Sequence, residues 1–182
     1  MQDNSKRVIL LDIDGVLQPT YSQKRFSNNL EELQRMLADK YQNSGYLDMD
    51  KWDLGAVYYD WNLEAVANLE KLITVCKAEI VVSSDWRRSN DLEQLKLLFQ
   101  IHGLGVFVSD ATPTLGVSRD KEISAYLSEH SDIENFVIID DIDTGFSKIY
   151  PDNFVHTADR GHFTEHHLNV AITILTQQDF AV

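Results

Sequence analysis

The sequence predicts an α/β fold: a mainly parallel sheet with helices on both faces and one insertion after the first strand. Three observations carry that expectation. Five short runs rich in β-branched or aromatic residues recur along the chain, helical periodicity fills most gaps between them, and one stretch breaks the alternation. At 182 residues the chain suffices for one well-buried core and is short for two, so a single domain over residues 1–182 is expected.

The first strand is read at residues 8–11, where four successive apolar residues mark a strand buried on both faces. The insertion, residues 18–60, follows. It opens with a helical stretch, "NNLEELQRMLADKYQ", that sets Leu30, Leu33, Met36 and Leu37 on one face, and continues as an aromatic-rich irregular piece, "GYLDMDKWDLGAVYYDW". The alternation then resumes. Leu63, Val66, Leu69, Leu72, Ile73 and Cys76 recur at threes and fours, and a strand follows at 79–83. Asn90, with Glu93 three residues on, signals the start of a helix carrying Leu92, Leu95, Leu98 and Phe99. Strands at 106–108, 135–139 and 153–156 complete the sheet. Ser118 and Thr164 stand where N-caps belong, the latter before Leu168, Ala171, Ile172 and Leu175. No repeat, low-complexity tract or linker marks a second independent domain.

Composition narrows the function classes. Hydrophobic residues at 43% and charged residues at 25% are ordinary for a folded globular chain. The net charge of −13 repels polyanions and anionic membranes at long range and favours cations. One cysteine, Cys76, allows neither a disulfide framework nor a cysteine zinc site, and its apolar helical setting reads as a buried core thiol. No run of about 18 apolar residues exists, and no apolar stretch of signal-peptide length precedes the first aspartates. A soluble, cytoplasmic protein with no membrane partner is expected.

In open parallel α/β sheets, ligands bind outside the carboxyl ends of the strands. The first strand ends in Asp12 and Asp14, the second in Ser83, Ser84 and Asp85, and the fourth in Asp140, Asp141 and Asp143. If those strands are neighbours, at least four carboxylates converge where like charges cannot all stay ionised without a partner. A hard divalent cation with oxygen ligands, Mg²⁺, is the simplest one. Gly15 lets the chain turn sharply after the paired aspartates, so that one can bind metal and attack while the other handles protons. A carboxylate attacking a phosphoryl group gives an aspartyl-phosphate, which divides one hard step into two easier ones.

"LLDIDGVL", "IVVSSDW", a basic residue opening a helix in "SRDKEI", and "VIIDD" follow one another in the motif order of the haloacid dehalogenase (HAD) superfamily of phosphohydrolases and phosphotransferases. More narrowly, "LDIDGVL", "VVSSDWR", "EISAYL" and "FVIIDDID" resemble the small HAD domains of the Swiss army knife RNA-repair group. The resemblance runs from about Val8 to the last helix and covers the insertion least. It implies a Rossmann-like HAD fold with a small cap at 18–60 and a Mg²⁺-dependent phosphatase. Under it Asp12 matches the nucleophile, and Asp14 the acid that protonates the leaving oxygen and then activates water. Ser83 matches the hydroxyl residue that binds the transferring phosphoryl, with Ser84 the neighbour that a one-residue slip substitutes. Asp140 and Asp141 match the acidic pair that completes the Mg²⁺ site with Asp12 and the backbone carbonyl of Asp14. Arg119 and Lys121 both qualify as the cation that offsets phosphate charge; the narrower group carries Arg just before "xxEI", and a guanidinium fork suits phosphate oxygens. The implied partner is a phosphorylated substrate, a small molecule or a nucleic-acid end.

Plainer readings stand beside these. An isolated Asp-x-Asp-Gly is a turn after a strand, Ser83, Ser84 and Asp85 suit loop or capping duty, and Asp143 suits a cap or a solvated position. Arg87 either contacts substrate phosphate or makes a surface ion pair. His162, His166 and His167 in "RGHFTEHHL" lack the spacing of a closed zinc site and read as solvated residues at a helix start. The Trp and Tyr residues of the insertion either line a pocket or form its own core. Two other function classes share the pattern: a phospho-acceptor switch that does not turn over, and a catalytically idle interaction module.

Overall fold

The computed structural model describes residues 6–158 and 161–177. Its centre is a five-stranded sheet, all parallel: β1 (Lys6–Leu11), β2 (Glu79–Val82), β3 (Val108–Ala111), β4 (Ile133–Asp140) and β5 (Phe154–His156), in the order β3-β2-β1-β4-β5. β1 lies in the middle, flanked on both sides and covered on both faces. Val8, Ile9, Leu10 and Leu11 are all fully buried, as the unbroken apolar run requires.

Alternation along the strands divides the core in two. Ile9, Leu11, Ile80, Val82, Val137, Ile139 and Val155 face the larger half, under α4 (Leu63–Cys76), α5 (Leu92–Gln100) and α8 (Glu165–Thr176). Val8, Leu10, Val81 and Ile138 face the smaller half, under α6 (Arg119–Glu129) and α7 (Phe146–Ile149), where Ile123, Tyr126 and Phe146 pack. Helices therefore cover both faces, as expected for this architecture.

The insertion is more regular than its sequence suggests. A 3₁₀ turn at Lys24–Ser27 leads into α1 (Leu30–Tyr41), α2 (Gly45–Asp48) and α3 (Lys51–Gly55), which runs on into one π-helical turn at Ala56–Asp60. Asn29 caps α1 by accepting from the Glu32 N–H, and Asp50 caps α3 from Trp52. Leu30, Leu33, Leu37, Tyr46, Met49, Leu54 and Val57 join the larger core without a break. Polar ties reinforce this: Tyr46 donates to the Leu97 carbonyl at 2.9 Å, and a ring nitrogen of His102 meets the Val57 carbonyl at 2.8 Å. Met36, expected on the apolar face, is exposed instead, one position outside the stripe of Leu33 and Leu37.

Other differences are local. β3 begins at Val108, later than expected, because Gly105–Phe107 closes a 3₁₀ turn and leaves Val106 exposed. The cap of α5 is Asp91, which exchanges hydrogen bonds with Gln94 in a capping box, one residue past the expected Asn90. His167 is buried, not solvated: its Nδ1 accepts from the Thr164 N–H at the start of α8. Cys76 is buried and not disulfide-bonded. Among the described residues, no helix is long and apolar enough to cross a membrane.

Candidate active site

Strand register alone brings the first three site residues together. Leu11 pairs with Val82 on one side and Ile139 on the other, and the ladder runs one step further, through Ser83 N–H to the Leu11 carbonyl at 2.9 Å and Asp12 N–H to the Ile139 carbonyl at 3.0 Å. Asp12 thus ends the central strand between Ser83 and Asp140. All three continue the alternation of Leu10, Val81 and Ile138, so they leave the sheet on the side of α6. All three are essentially buried.

The first turn of α6 supplies the cation on that side. Arg119 Nη1 donates to Asp140 Oδ2 at 2.6 Å and lies 3.0 Å from Asp12 Oδ2. Burial works against the Arg119 charge, but the two carboxylates outweigh it and hold the guanidinium firmly protonated. Lys121, two residues on, is exposed on the same helix, and the structure does not bring it into this group.

Asp12, Asp140 and Asp141 each offer a carboxylate oxygen within 4.8 Å of the others. Burial pushes the Asp140 carboxyl upward, the charge of Asp12 adds to the rise, and Arg119 with the Ile142 N–H only partly offsets it. Asp141 is raised by burial and then by Asp12. Three carboxylates against one guanidinium leave the corner short of positive charge. Among the described residues, Asp12 Oδ1 and Ser83 Oγ, both buried there, have no hydrogen-bond partner. An all-oxygen donor set with an unpartnered carboxylate oxygen fits a hard divalent cation.

Asp14 lies past the end of β1, in the turn closed by Gly15, open to solvent on one side and partly covered on the other. It is not one of the three clustered carboxylates; its Oδ2 accepts from Trp86 Nε1–H at 2.9 Å. Burial raises its pKa, the Trp86 hydrogen bond lowers it, and the Asp12 charge raises it, with a net rise. Gly15 itself is at φ +71°, and a Cβ there would stand 2.2 Å from Asp141 Oδ2. Glycine is needed at this position both for the turn and for the place Asp141 occupies.

Arg87 corrects an expectation. It is neither at the surface nor open to a substrate phosphate: its side chain is 1% exposed, and its donors are engaged by protein. Nε donates to the Thr112 carbonyl at 3.0 Å, Nη1 to the carbonyls of Ser83 and Ser84 at 2.6 Å each, and Nη2 to the equally buried Glu122. Glu122 Oε1 also accepts from the Leu115 N–H. Arg87 and Glu122 therefore fasten the end of β2, with its serines, to the first turn of α6, with Arg119. Ser84 is buried beside Ser83, and its hydroxyl also has no partner. Asp143 caps the turn before α7, where the Ser147 side chain and N–H groups from Gly145 onward hold it at about 2. Sequence reasoning did not single out Trp86, Thr112 or Glu122. Trp86 had a signal in its place two residues after the paired serines, and Glu122 in its spacing of three from Arg119.

A family model described as the HAD domain in Swiss Army Knife RNA repair proteins matches residues 8–168. The chain belongs to that family. No curated protein and no solved structure matches the chain. Membership agrees with the parallel, Rossmann-like sheet and makes the protein one of a phosphatase-type family whose members take phosphorylated substrates and typically use Mg²⁺. The match spans the insertion as well as the sheet.

Proposed function

We propose that this HAD protein is a Mg²⁺-dependent phosphomonoester hydrolase that works through an aspartyl-phosphate on Asp12. The observation that carries the reading is the buried Asp12 carboxylate, one oxygen held by Arg119 and the other unpartnered, beside the unpartnered hydroxyl of Ser83. Asp12 attacks the phosphorus, forming an oxygen–phosphorus bond as the ester bond breaks, and Asp14 gives its proton to the departing oxygen. Asp14 then takes a proton from the water that splits the aspartyl-phosphate and restores Asp12. Arg119 and Ser83 hold the phosphoryl oxygens throughout. Asp12, Asp140 and Asp141, with the main-chain carbonyl of Asp14, are the residues to hold Mg²⁺, which when bound offsets phosphoryl charge as a Lewis acid.

The chain acts as one cytoplasmic domain, with residues 18–60 as a small cap. A cap of that size leaves room for a large substrate. The family's description points to RNA ends as a special case, whereas the net charge of −13 points away from polyanions, so the substrate class is a phosphomonoester.

The test is phosphate release from p-nitrophenyl phosphate, nucleotides and 5′- or 3′-phosphorylated oligonucleotides, with Mg²⁺ and with EDTA, for wild type and Asp12→Asn. Mg²⁺-dependent turnover that disappears in the variant supports the proposal, and the best substrate names the class. A single slow release without turnover favours the phospho-acceptor switch. Silence across the panel from folded protein that still binds Mg²⁺ favours the idle module.

A further inference from the structure

We infer that Trp86 is a positioning residue that holds Asp14 in the orientation for proton transfer to the leaving group; the inference rests on the phosphohydrolase reading above. Asp14 needs such a device. Among the described residues its side chain makes one hydrogen bond, that from Trp86, and effective acid catalysis demands a fixed orientation. The Trp86 N–H, at 2.9 Å from Oδ2, selects one arrangement and leaves Oδ1 as the oxygen that carries the proton. As the Asp12 oxygen–phosphorus bond forms and the ester bond breaks, the electron pair left on the departing oxygen takes that proton from Oδ1.

Trp86 is itself held at two points, its main-chain carbonyl and its ring. The Trp86 carbonyl accepts from both the main-chain N–H and the side-chain amide of Asn90, at 3.1 Å each, and the same amide donates to Asp53 of α3 at 2.9 Å. Trp61, where the insertion ends, sets its ring 6.5 Å from that of Trp86 and packs in turn on Phe99 and His102. The insertion thus braces the residue that holds the acid.

The test compares kcat/KM for p-nitrophenyl phosphate and phenyl phosphate, with Mg²⁺, in wild type, Trp86→Phe and Trp86→His. The two esters share a ring, but p-nitrophenolate departs without a proton and phenolate does not. Trp86→Phe is expected to lower kcat/KM for phenyl phosphate on the order of 10- to 100-fold and for p-nitrophenyl phosphate less than about 3-fold. Trp86→His keeps a ring N–H and regains part of the loss. The readout is a ratio within each variant, so partial unfolding does not move it. Equal losses on both esters, or a His variant no better than Phe, overturn the inference while leaving the phosphohydrolase reading intact. Failure of wild type to hydrolyse either ester removes that reading and this inference with it.

Discussion

Arg87 and Arg119 sit on the same side of the sheet, both in buried ion pairs at its carboxyl end, and they do different things. Three carbonyls and the Glu122 carboxylate surround an Arg87 guanidinium with 1% of its side chain exposed, and the exposed Asp85 lies 3.8 Å from Nη1. Arg119 is 13% exposed and divides one Nη1 group between two carboxylates, while Nη2 lies 3.8 Å from the same exposed Asp85. Around Arg87 one buried carboxylate matches one guanidinium and the charges balance. Around Arg119 they do not, because a third carboxylate, Asp141, joins Asp12 and Asp140. A balanced ion pair is costly to break by half; an unbalanced one with an unpartnered acceptor suits a ligand.

Removing half of the closed pair has the largest expected effect. Arg87→Ala strands Glu122 as a buried, unpaired charge and lowers unfolding stability by about 3–5 kcal/mol in urea titrations. Arg87→Met combined with Glu122→Leu recovers the part due to the stranded charge, while the carbonyls of Ser83, Ser84 and Thr112 and the Leu115 N–H stay without those partners. A single variant no worse than the double one breaks the comparison, because the pair is then not balanced as described.

Arg119→Ala acts on the other side of the comparison. It is expected to lower kcat on the order of 10²- to 10³-fold, by analogy with the loss of one donor to a developing charge, and to destabilise the metal-free protein as well, because Asp12 and Asp140 are left buried without a cation. Steady-state kinetics beside urea titration separates the two.

Much of this architecture was legible in the sequence, for identifiable reasons. β1, β2 and β4 are buried on both faces, so their apolar runs needed no partner to be recognised, and the acidic residues ending them marked the site. β3 was misplaced because it is a half-buried edge strand, Val-Ser-Asp-Ala, with no apolar run to announce it. The insertion looked irregular because its helices α2 and α3 are only one turn long, too short for periodicity to register. Arg87 was misread because its partner Glu122 is 35 residues away and the burial of both arises only on folding. Trp86 escaped notice for the same reason, its partner Asp14 lying 72 residues earlier.

The charge shortage at Arg119 also has a pH signature. Asp140 is raised in the folded protein by burial and by Asp12, so between the ordinary carboxylate value and its raised value the folded state binds more protons than the unfolded one. Stability of metal-free wild type, relative to Asp140→Asn, therefore increases as pH falls through that window and is level below it. Saturating Mg²⁺ removes the dependence by keeping the carboxylate ionised. Urea titrations of both proteins from pH 8 to pH 4, with Mg²⁺ and with EDTA, check the sign.

The smallest effect belongs to Lys121. Exposed and apart from the carboxylates, it can be replaced by Ala with less than about 0.5 kcal/mol change in stability and no more than about a two-fold change in kcat.

The Arg119 corner, unlike the Arg87 corner, is expected to be completed by a divalent cation. Titration calorimetry of Mg²⁺ into wild type, Asp140→Asn and Lys121→Ala tests it most directly. One Mg²⁺ bound per chain, weakened at least about 10-fold in Asp140→Asn and unchanged in Lys121→Ala, is the predicted result. No binding to wild type, or equal binding to wild type and Asp140→Asn, contradicts it.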